Sequence, residues 1–299
     1  MILATGTIAL DTTRTPFKTV ERVLGGSASY FSLAARFFSP VSIVGAVGHD
    51  FPQNYWDLLE KAGVNMLGVQ KHPEQKTFFF DSTFSYDMYT RTANATELNV
   101  YENFEPRIPD GLKSSEYVYL GTSPPEKQLK VLREFSSPKF SMLDTIEFYI
   151  QHDKAALEKT ISHVDCIVLN DIEARMLCNT PNIIKAARHL SNLGPKVVII
   201  KKGEHGSILF YKDVIFPLAA FPLESSIDPT GAGDSFSGGF MGHLARKGKL
   251  SLKTLKEAVA YGNLMGSFAI EDFSVNKLLS LKQEEIENRM KEYRKLTRF

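Results

Sequence analysis

Short apolar runs alternate with segments of helical spacing along most of the chain. The runs are as long as buried strands, and the segments between them repeat apolar residues as an amphipathic helix does. This alternation predicts an α/β fold in which a doubly wound, mostly parallel sheet carries helices on both faces. The predicted strands are 2–8, 41–47, 117–120, 140–143, 166–169 and 197–200. The predicted helices are 26–38, 53–62, 125–135, 153–162, 171–178, 182–193, 234–247, 252–270 and 281–296.

Two stretches, residues 10–24 and about 71–105, interrupt this pattern with extended polar and aromatic sequence. Within the second stretch, residues 77–89 predict a hairpin that is rich in aromatic side chains. β segments inserted into an α/β domain can form a small sheet of their own. We therefore expect one domain over residues 1–299, with a small inserted β-sheet that acts as a lid.

The composition narrows the class of protein. Of the 299 residues, 43% are hydrophobic, which is enough for a large buried core. The 35 basic and 34 acidic residues leave a net charge of +1, which argues against a nucleic-acid-binding protein. Cys166 and Cys178 are too few for a disulfide framework and do not form a C-x-x-C zinc motif. Without a signal peptide or a long apolar run, we expect a cytoplasmic protein with no membrane partner.

The most informative motif is the string of residues 228–240, which contains Gly231, Ala232, Gly233 and Asp234. Its small residues allow backbone N–H groups to converge on an anion, and the following helix presents its N-terminus to the same point. A carboxylate at Asp234 would then stand beside a bound phosphate, where it can accept a proton from a substrate hydroxyl. Taken alone, the short motif also fits a plain helix start with Asp as its N-cap.

The whole 228–240 string resembles the C-terminal signature of the ribokinase (PfkB) family of sugar and nucleoside kinases. A second motif, Gly25-Gly26-Ser27-Ala28, resembles the N-terminal Gly-Gly motif of that family in the form seen in nucleoside and ketohexose kinases. The resemblance extends over essentially the whole chain, and no Walker A loop is present. It implies a ribokinase-like fold with a lid over the acceptor site, and ATP and Mg²⁺ as cofactors.

The resemblance also implies a substrate-binding set on the lid side. Asp11 follows the first strand and would hold substrate hydroxyls through charge-assisted hydrogen bonds, although a solvated turn carboxylate is the alternative. Gly25 and Gly26 would let the backbone approach the substrate closely, or they form a simple loop before a helix. Ser27 and Tyr30 complete the set, with Tyr30 at a position where many relatives have Asn.

On the ATP side, the resemblance implies contacts from several segments. Asn170 and Glu173 match an N-x-x-E motif that acts through water on magnesium and phosphate, although both residues also fit helix capping. Lys201 stands where relatives commonly have Thr, and it would reach the ATP phosphates or remain solvated. The other implied contacts are Gly203 and Gly206 in a turn, Asn263 near adenine, and Asp228 as a secondary candidate for the metal. Residues 271–275 lack the usual small residues of a monovalent-cation site, which argues against a potassium requirement.

These observations predict an ATP-dependent kinase that transfers the γ-phosphoryl group to a hydroxyl of a small sugar or polyol. A nucleoside kinase is the alternative, and a non-catalytic ligand sensor on the same fold is a third. The choice of acceptor involves aromatic side chains that either stack on the acceptor or form the lid core: Tyr30, Phe78, Phe80 and Tyr86. Because the lid has exposed strand edges, we also expect a homodimer formed through two lids, as in other family members.

Overall fold

A computed structural model describes residues 1–298, so the last residue of the predicted domain lies outside the described part. The strands are β1 (Ile2–Thr5), β2 (Ala9–Arg14), β3 (Thr19–Gly25), β4 (Val41–Gly48), β5 (Val64–His72), β6 (Phe78–Phe84), β7 (Arg91–Glu97), β8 (Tyr117–Leu120), β9 (Phe140–Asp144), β10 (Cys166–Asn170), β11 (Val197–Lys201), β12 (Ser207–Tyr211) and β13 (Val214–Leu218). The helices are α1 (Ser27–Ala35), α2 (Gln53–Lys61), α3 (Pro125–Leu132), α4 (Glu147–His152), α5 (Lys154–Ile161), α6 (Asp171–Leu177), α7 (Ile183–Leu193), α8 (Ala232–Lys247), α9 (Leu252–Ala269), α10 (Asn276–Ser280) and α11 (Gln283–Leu296).

Nine strands form one large sheet in the order β13-β12-β11-β10-β9-β8-β1-β4-β5. Every pairing from β11 to β5 is parallel, whereas β12 and β13 add an antiparallel edge. The strand order runs outward from β1 in both directions. This is the doubly wound, mostly parallel topology that the sequence predicts.

The large sheet is buried on both faces, and its central strands are apolar at most positions. In β10, Cys166 and Val168 belong to a core formed with α1, α8 and α9. Ile167 and Leu169 belong to a second core formed with α3, α5 and α7. Successive side chains of a strand point to opposite faces, so one apolar run supplies both cores. The continuous apolar pattern of the sequence is explained by this arrangement.

The remaining four strands form a separate small sheet in the order β3-β2-β6-β7, which we call the lid sheet. β2 pairs with β6 in parallel, and each of them pairs with its own hairpin partner in antiparallel fashion. The two hairpins come from the segments 10–24 and 71–105 in which the sequence predicts inserted β structure. The prediction of a small inserted sheet is therefore confirmed.

The structure also contains sheet elements that the sequence pattern does not predict, namely β5 and the hairpin of β12 with β13. β5 and β13 are the two edges of the large sheet. β5 and β13 are partly exposed, so they lack the continuous apolar run that identifies a central strand. β12 is an inner strand and is buried, but sequence reasoning missed it. Among the helices of residues 1–298, none combines the length and the apolarity that a membrane crossing requires.

Candidate active site

Polar residues end three neighbouring strands in the large sheet. Asp144, Asn170 and Lys201 are the last residues of β9, β10 and β11. In the parallel ladders, Val168 pairs with Asp144, and Asn170 pairs with Lys201. Because the carboxyl ends of parallel strands meet at one edge of a sheet, these side chains form a row there. The candidate site is built on this row.

A glycine turn leads into α8 beside this row. Gly231 has a φ of +74°, a conformation that glycine adopts without strain. A Cβ on Gly231 would lie 2.3 Å from the ring of Tyr30, so a larger residue would clash. Tyr30 itself is 2% exposed. Its ring face is used in packing against the turn, which corrects the expectation that Tyr30 stacks on a substrate.

The turn leaves backbone donors free at the start of α8. Within residues 1–298, no acceptor is found for the N–H groups of Gly231, Gly233 and Asp234. The N–H of Ala232, in contrast, donates to the carbonyl of Pro229 over 3.3 Å. Unpaired donors at a helix N-terminus, in the positive field of the helix dipole, form an anion-binding site. The structure thus reduces the predicted anion-binding set, the backbone N–H groups of residues 231–234, from four groups to three.

Asp234 lies in the first turn of α8, where its Oδ1 accepts a hydrogen bond from the Tyr119 hydroxyl at 3.2 Å. Burial is the main reason that the pKa of Asp234 is raised to about 7, and the charge of Asp144 adds to it. Lys201 and the Tyr119 hydroxyl lower the pKa again, but less. A carboxyl group with a pKa near neutrality suits a general base.

Lys201 and Asp144 form a buried ion pair close to these free N–H groups. Nζ of Lys201 lies 3.1 Å from Oδ2 of Asp144, and the two side chains are 17% and 7% exposed. A Cβ on Gly233 would lie 2.8 Å from the same Nζ, so the ammonium group is directly beside the helix N-terminus. Burial opposes the charge of Lys201, but the surrounding carboxylates, led by Asp144, raise its pKa above the usual value. A charged lysine is therefore available to a bound phosphate.

Asn170 and Glu173 form a reciprocal capping box at the start of α6. The Glu173 N–H donates to Asn170 Oδ1 at 2.8 Å, and the Asn170 N–H donates to Glu173 Oε2 at 2.7 Å. The capping alternative is therefore correct for the geometry of both side chains. Burial is also the main cause that raises the pKa of Glu173 to about 7, and the charge of Lys201 lowers it. Glu173 thus belongs to the same buried charge cluster as Lys201.

The predicted turn between β11 and β12 contains two glycines with positive φ, Gly203 at +53° and Gly206 at +82°. A Cβ on Gly206 would lie 2.1 Å from the carbonyl oxygen of Leu218, which explains why this position is glycine. Gly203 packs against Tyr89, from the turn between β6 and β7 in the lid sheet. The Tyr89 hydroxyl also donates to Asp171 Oδ1 at 2.8 Å, at the start of α6. The tip of the lid hairpin therefore reaches the strand ends.

Asp11 lies on β2 and is 5% exposed. Burial is the main cause that raises its pKa to about 7; the Gly26 N–H lowers it, and the charges of Asp228 and Asp234 raise it. A Cβ on Gly25 would lie 1.9 Å from Asp11 Oδ2, so this glycine makes room for the carboxylate. The predicted group of Asp11, Gly25 and Gly26 is thus one compact unit.

One face of the lid sheet points toward this unit. Asp11 is directly paired with Phe80, and further along β6 Phe84 is paired with Arg91. The Arg91 guanidinium lies 5.2 Å from the centre of the Phe80 ring. The charge of Arg91 lowers the pKa of both Asp11 and Asp234, so it lies close to both. Arg91 carries no motif, and sequence reasoning missed it.

Two further predicted residues are engaged within the protein. Ser27 Oγ accepts a hydrogen bond from the Thr7 N–H at 3.1 Å and ties α1 to the first strand, so it is not free for a substrate. The carboxylate oxygens of Asp228 accept hydrogen bonds from the N–H groups of Thr230 at 2.9 Å and Ser274 at 3.1 Å. These two hydrogen bonds show that Asp228 shapes the loop before α8, and its assignment to the metal stays a prediction.

Asn263 is also engaged, which corrects its predicted contact with adenine. Its Oδ1 accepts from Ser207 Oγ at 3.0 Å. Its Nδ2 donates to the Tyr293 hydroxyl at 2.9 Å and to the carbonyl of Ala219 at 3.2 Å. Asn263 therefore joins α9 to α11 and to the segment after β13.

The aromatic candidates divide between site and packing. Phe80 is partly buried on the face of the lid that carries Asp11. Phe78 packs edge to face against Tyr101, with ring centres 5.9 Å apart. Tyr86 is 83% exposed and belongs neither to the lid core nor to the site. Phe80 is thus the aromatic residue of the set that is placed to face an acceptor.

Sequence reasoning also missed Asp144 and Tyr119. Both lie on strands, β9 and β8, whose apolar runs are typical of a core. The available signal is position: Asp144 directly follows the predicted strand 140–143, and a carboxylate at the carboxyl end of a buried parallel strand faces the usual ligand crevice. Tyr119 has no such signal, because its role depends on the neighbouring strand and helix.

The chain was compared with known families and proteins. The profile of the pfkB family carbohydrate kinase matches residues 5–281. A cytidine kinase from Thermococcus kodakarensis is 28% identical over 272 residues, covering 87% of this chain and 92% of the relative. A nucleoside kinase from Methanothermobacter thermautotrophicus is 29% identical over 268 residues, covering 87% and 82%.

Solved structures with the same fold include two nucleoside kinases. That of Methanocaldococcus jannaschii, described as an archaeal member of the ribokinase family, has a TM-score of 0.78 at 21% identity and covers 97% of this chain and 98% of its own. That of Burkholderia thailandensis in complex with inosine has a TM-score of 0.80 at 20% identity and covers 98% of both chains. At these identities the likeness establishes the fold.

Proposed function

Since this chain belongs to the pfkB family of carbohydrate kinases, we propose that it transfers the γ-phosphoryl group of ATP to a hydroxyl of a nucleoside. The family membership makes it a phosphotransferase with a hydroxyl acceptor. The choice of a nucleoside is our inference. It reverses the order of the two acceptors expected from the sequence, in which a sugar or polyol came first.

Two observations support a nucleoside acceptor. Relatives that match most of the chain include a cytidine kinase and a nucleoside kinase, which are more similar to it than the inositol 3-kinase of Arabidopsis thaliana, 24% identical over 91% of this chain. The face of the lid beside Asp11 carries Phe80 with Arg91 next to its ring, and an aromatic ring suits stacking on a flat base. Asp11 would hold the ribose hydroxyls while Phe80 covers the base.

The observation that carries the proposal is the placement of Asp234. On one side, its carboxyl lies beside Lys201 and the free N–H groups of the α8 N-terminus. On the other side, its charge helps to raise the pKa of Asp11, after the larger effect of burial. We infer that the γ-phosphoryl group binds to the N–H groups and Lys201. The oxygen of the acceptor hydroxyl attacks the γ-phosphorus, the bond from that phosphorus to the bridging oxygen breaks so that ADP leaves, and Asp234 takes the proton of the hydroxyl. Catalysis then consists mainly of positioning and charge stabilisation.

The lid supplies the second positive charge. Arg91 is exposed on β7, but its charge acts on both Asp11 and Asp234. Placed over the acceptor, it would offset negative charge on the phosphoryl group as that group moves between donor and acceptor. Closure of the lid would also exclude water, which limits hydrolysis of ATP.

Magnesium would accompany ATP in this proposal. Within residues 1–298, no group of three or more His, Cys, Asp or Glu side chains is arranged to hold a metal ion. Such a site fits an ion that is bound chiefly by phosphate oxygens and water, as Mg²⁺ commonly is. Glu173, buried beside Lys201, is the residue we assign to its water shell. The ion would neutralise charge on the ATP phosphates.

The experiment is release of ADP from Mg-ATP with a panel of cytidine, inosine, adenosine, ribose, fructose and myo-inositol. The Asp234→Asn variant serves as the blank. We expect saturable release with at least one nucleoside and none with the variant. Release of ADP with a free sugar and with no nucleoside would contradict the nucleoside proposal. The acceptor would then be a sugar, whose hydroxyls the unit of Asp11, Gly25 and Gly26 could also bind. Equal release by the variant would remove Asp234 as the base.

We also propose that two copies associate through their lids. All seven residues of β7, an edge strand of the lid sheet, are exposed. An exposed edge carries unpaired N–H and C=O groups that a second strand can satisfy. Sedimentation over a range of concentrations should give the mass of a dimer, and a monomer throughout would contradict this.

A further inference from the structure

The hydroxyl group of Tyr119 lies between two carboxylates beneath the site. It is 3.2 Å from Asp234 Oδ1 and 3.4 Å from Asp144 Oδ2. Tyr119 is fully buried on β8. Because the side chain is buried beneath the site, it does not contact ATP or the acceptor.

The single proton of this hydroxyl is available to Asp234, because Asp144 has other donors. Asp144 Oδ2 accepts from Lys201 Nζ at 3.1 Å and Oδ1 accepts from the Thr145 N–H at 2.9 Å. Ser237 Oγ lies a further 3.5 Å from Asp144 Oδ2. Asp234 receives no other side-chain hydrogen bond from residues 1–298. The shorter of the two Tyr119 distances is also the one to Asp234.

Packing fixes the position of the Tyr119 ring. It stacks on the ring of Phe31 in α1, with ring centres 3.9 Å apart and planes inclined by 5°. β8 is paired on both sides within the large sheet. The hydroxyl oxygen therefore has a fixed position, from which its O–H group reaches Asp234 Oδ1 at 3.2 Å.

We propose that Tyr119 is a positioning residue, which orients the carboxylate of Asp234 and keeps it ionised so that it can accept the proton of the acceptor hydroxyl. This inference rests on the proposed function only for what Asp234 does with that proton. Tyr119 keeps its own proton throughout and takes no part in bond formation.

The charges around Asp234 agree in direction with this role. Burial, foremost, and the charge of Asp144 on β9 raise the pKa of Asp234. Lys201 on β11, the Tyr119 hydroxyl and Arg91 on the lid lower it. A hydrogen bond to the charged form of a carboxyl favours that form. Removing the hydroxyl should therefore raise the pKa of Asp234.

The test is the titration of Asp234 in protein labelled with ¹³C at the aspartate carboxyl carbons, followed by NMR. The Asp234→Asn variant identifies the signal. In Tyr119→Phe we expect the midpoint to rise by about one pH unit from its unaltered value, as loss of a hydrogen bond to a charged group implies. Tyr117→Phe is the matched control, since Tyr117 lies on the same strand, where burial raises its pKa and the charges that act on it are those of Lys139 and Glu116. If the Asp234 midpoint is the same in the unaltered protein, in Tyr119→Phe and in Tyr117→Phe, all of them folded, the proposal is overturned.

A second variant keeps the ring and its packing. 3-Fluorotyrosine at position 119 has a more acidic hydroxyl, which is a stronger donor, so the Asp234 midpoint should move down. A shift in the same direction as in Tyr119→Phe would also overturn the proposal. The rate of ADP release with cytidine then separates the proposed function from the role of Tyr119. If the Asp234 midpoint shifts in Tyr119→Phe but Asp234→Asn keeps its activity, Asp234 is not the base, while the hydrogen bond from Tyr119 is supported.

Discussion

Asp234 and Asp11 both have a pKa raised to about 7, mainly by burial, but they lie on different parts of the fold. Asp234 lies on the first turn of α8, against the ends of buried parallel strands. Asp11 lies on the lid sheet, whose edge strand β7 is exposed along its whole length. The groups that would handle the phosphate are thus fixed by the core, whereas those that would select the acceptor are carried by a thin sheet.

The two cations differ in the same way. Lys201 is buried and paired with Asp144. Arg91 is exposed on the lid, and its guanidinium packs on Phe80. One positive charge is therefore permanent in the site, and the other depends on the position of the lid. We take this to mean that the core governs the transfer step and the lid governs acceptor binding, and the following changes test that division.

The largest effect is expected from Asp234→Asn on the core side. Loss of a general base should lower kcat by about a hundredfold to ten-thousandfold. Binding of ATP, measured by calorimetry, should change little, because the N–H groups and Lys201 are retained. Ser235→Ala is the control, since the neighbouring Ser235 hydroxyl is buried without a hydrogen-bond partner within residues 1–298. A comparable loss in that variant would mean that α8 itself had been disturbed.

Asp11→Asn on the lid side should act on binding instead. Replacing a charged acceptor of hydrogen bonds should raise KM for the acceptor by about tenfold to a hundredfold. The value of kcat should fall less, because the transfer step is supported by the core. Asp81→Asn is the matched lid control, since Asp81 pairs with Arg14 on the opposite face. If Asp11→Asn lowered kcat and left KM unchanged, the division between core and lid would be wrong.

The pH dependence of the reaction should separate the two carboxylates. Each has a pKa raised to about 7 by burial, and each is needed in its ionised form, so activity is lost as the pH falls through 7. In the ternary complex only Asp234 must be free to titrate, so kcat should fall about tenfold per pH unit. kcat/KM should fall up to about a hundredfold per unit, since both groups titrate in the free enzyme. With Asp11→Asn the two slopes should become equal, and unequal slopes would contradict the assignment.

The smallest effect is expected where lid and core touch. Tyr89→Phe removes the hydroxyl that bonds Asp171 while keeping the ring against Gly203. One partly exposed hydrogen bond is worth about 1 kcal/mol, so amide hydrogen exchange in the 85–90 turn should speed up by about fivefold. Tyr86→Phe, in the same turn but 83% exposed, should have no effect. Equal exchange in both variants would show that the Tyr89 contact does not hold the lid.

The parts of the site that the sequence predicts are those in which one short segment does the work. Gly231, Gly233 and Asp234 are neighbours on one turn, so spacing alone brings them together. The same holds for the adjacent Gly25 and Gly26. Without a side chain, Gly25 leaves room for the Asp11 carboxylate and Gly26 for the Thr7 carbonyl. The fold class follows in the same way from local runs of apolar residues.

The rest depends on contacts between distant segments. Asp144, Tyr119 and Arg91 come from three strands, and only the strand order places them around Asp234. Contacts between distant segments also explain why two residues are wrongly expected to contact a substrate. Tyr30 follows the Gly25-Gly26 motif, and Asn263 is expected near adenine from the family resemblance. Distant partners, the Gly231 turn and Tyr293, occupy these side chains instead. A single sequence does not record which neighbour satisfies a polar or aromatic group.

The parallel pairing of β2 with β6 has a consequence for the order in which the chain folds. It joins Ala9 to Phe78, and the elements α1, β4, α2 and β5 lie between them. Each hairpin of the lid is local, but their junction closes a long loop, and the entropic cost of that closure becomes small only after β1, β4 and β5 have assembled. We therefore expect the lid to be the last region to become native and the first to come apart, in an unfolding unit separate from the core.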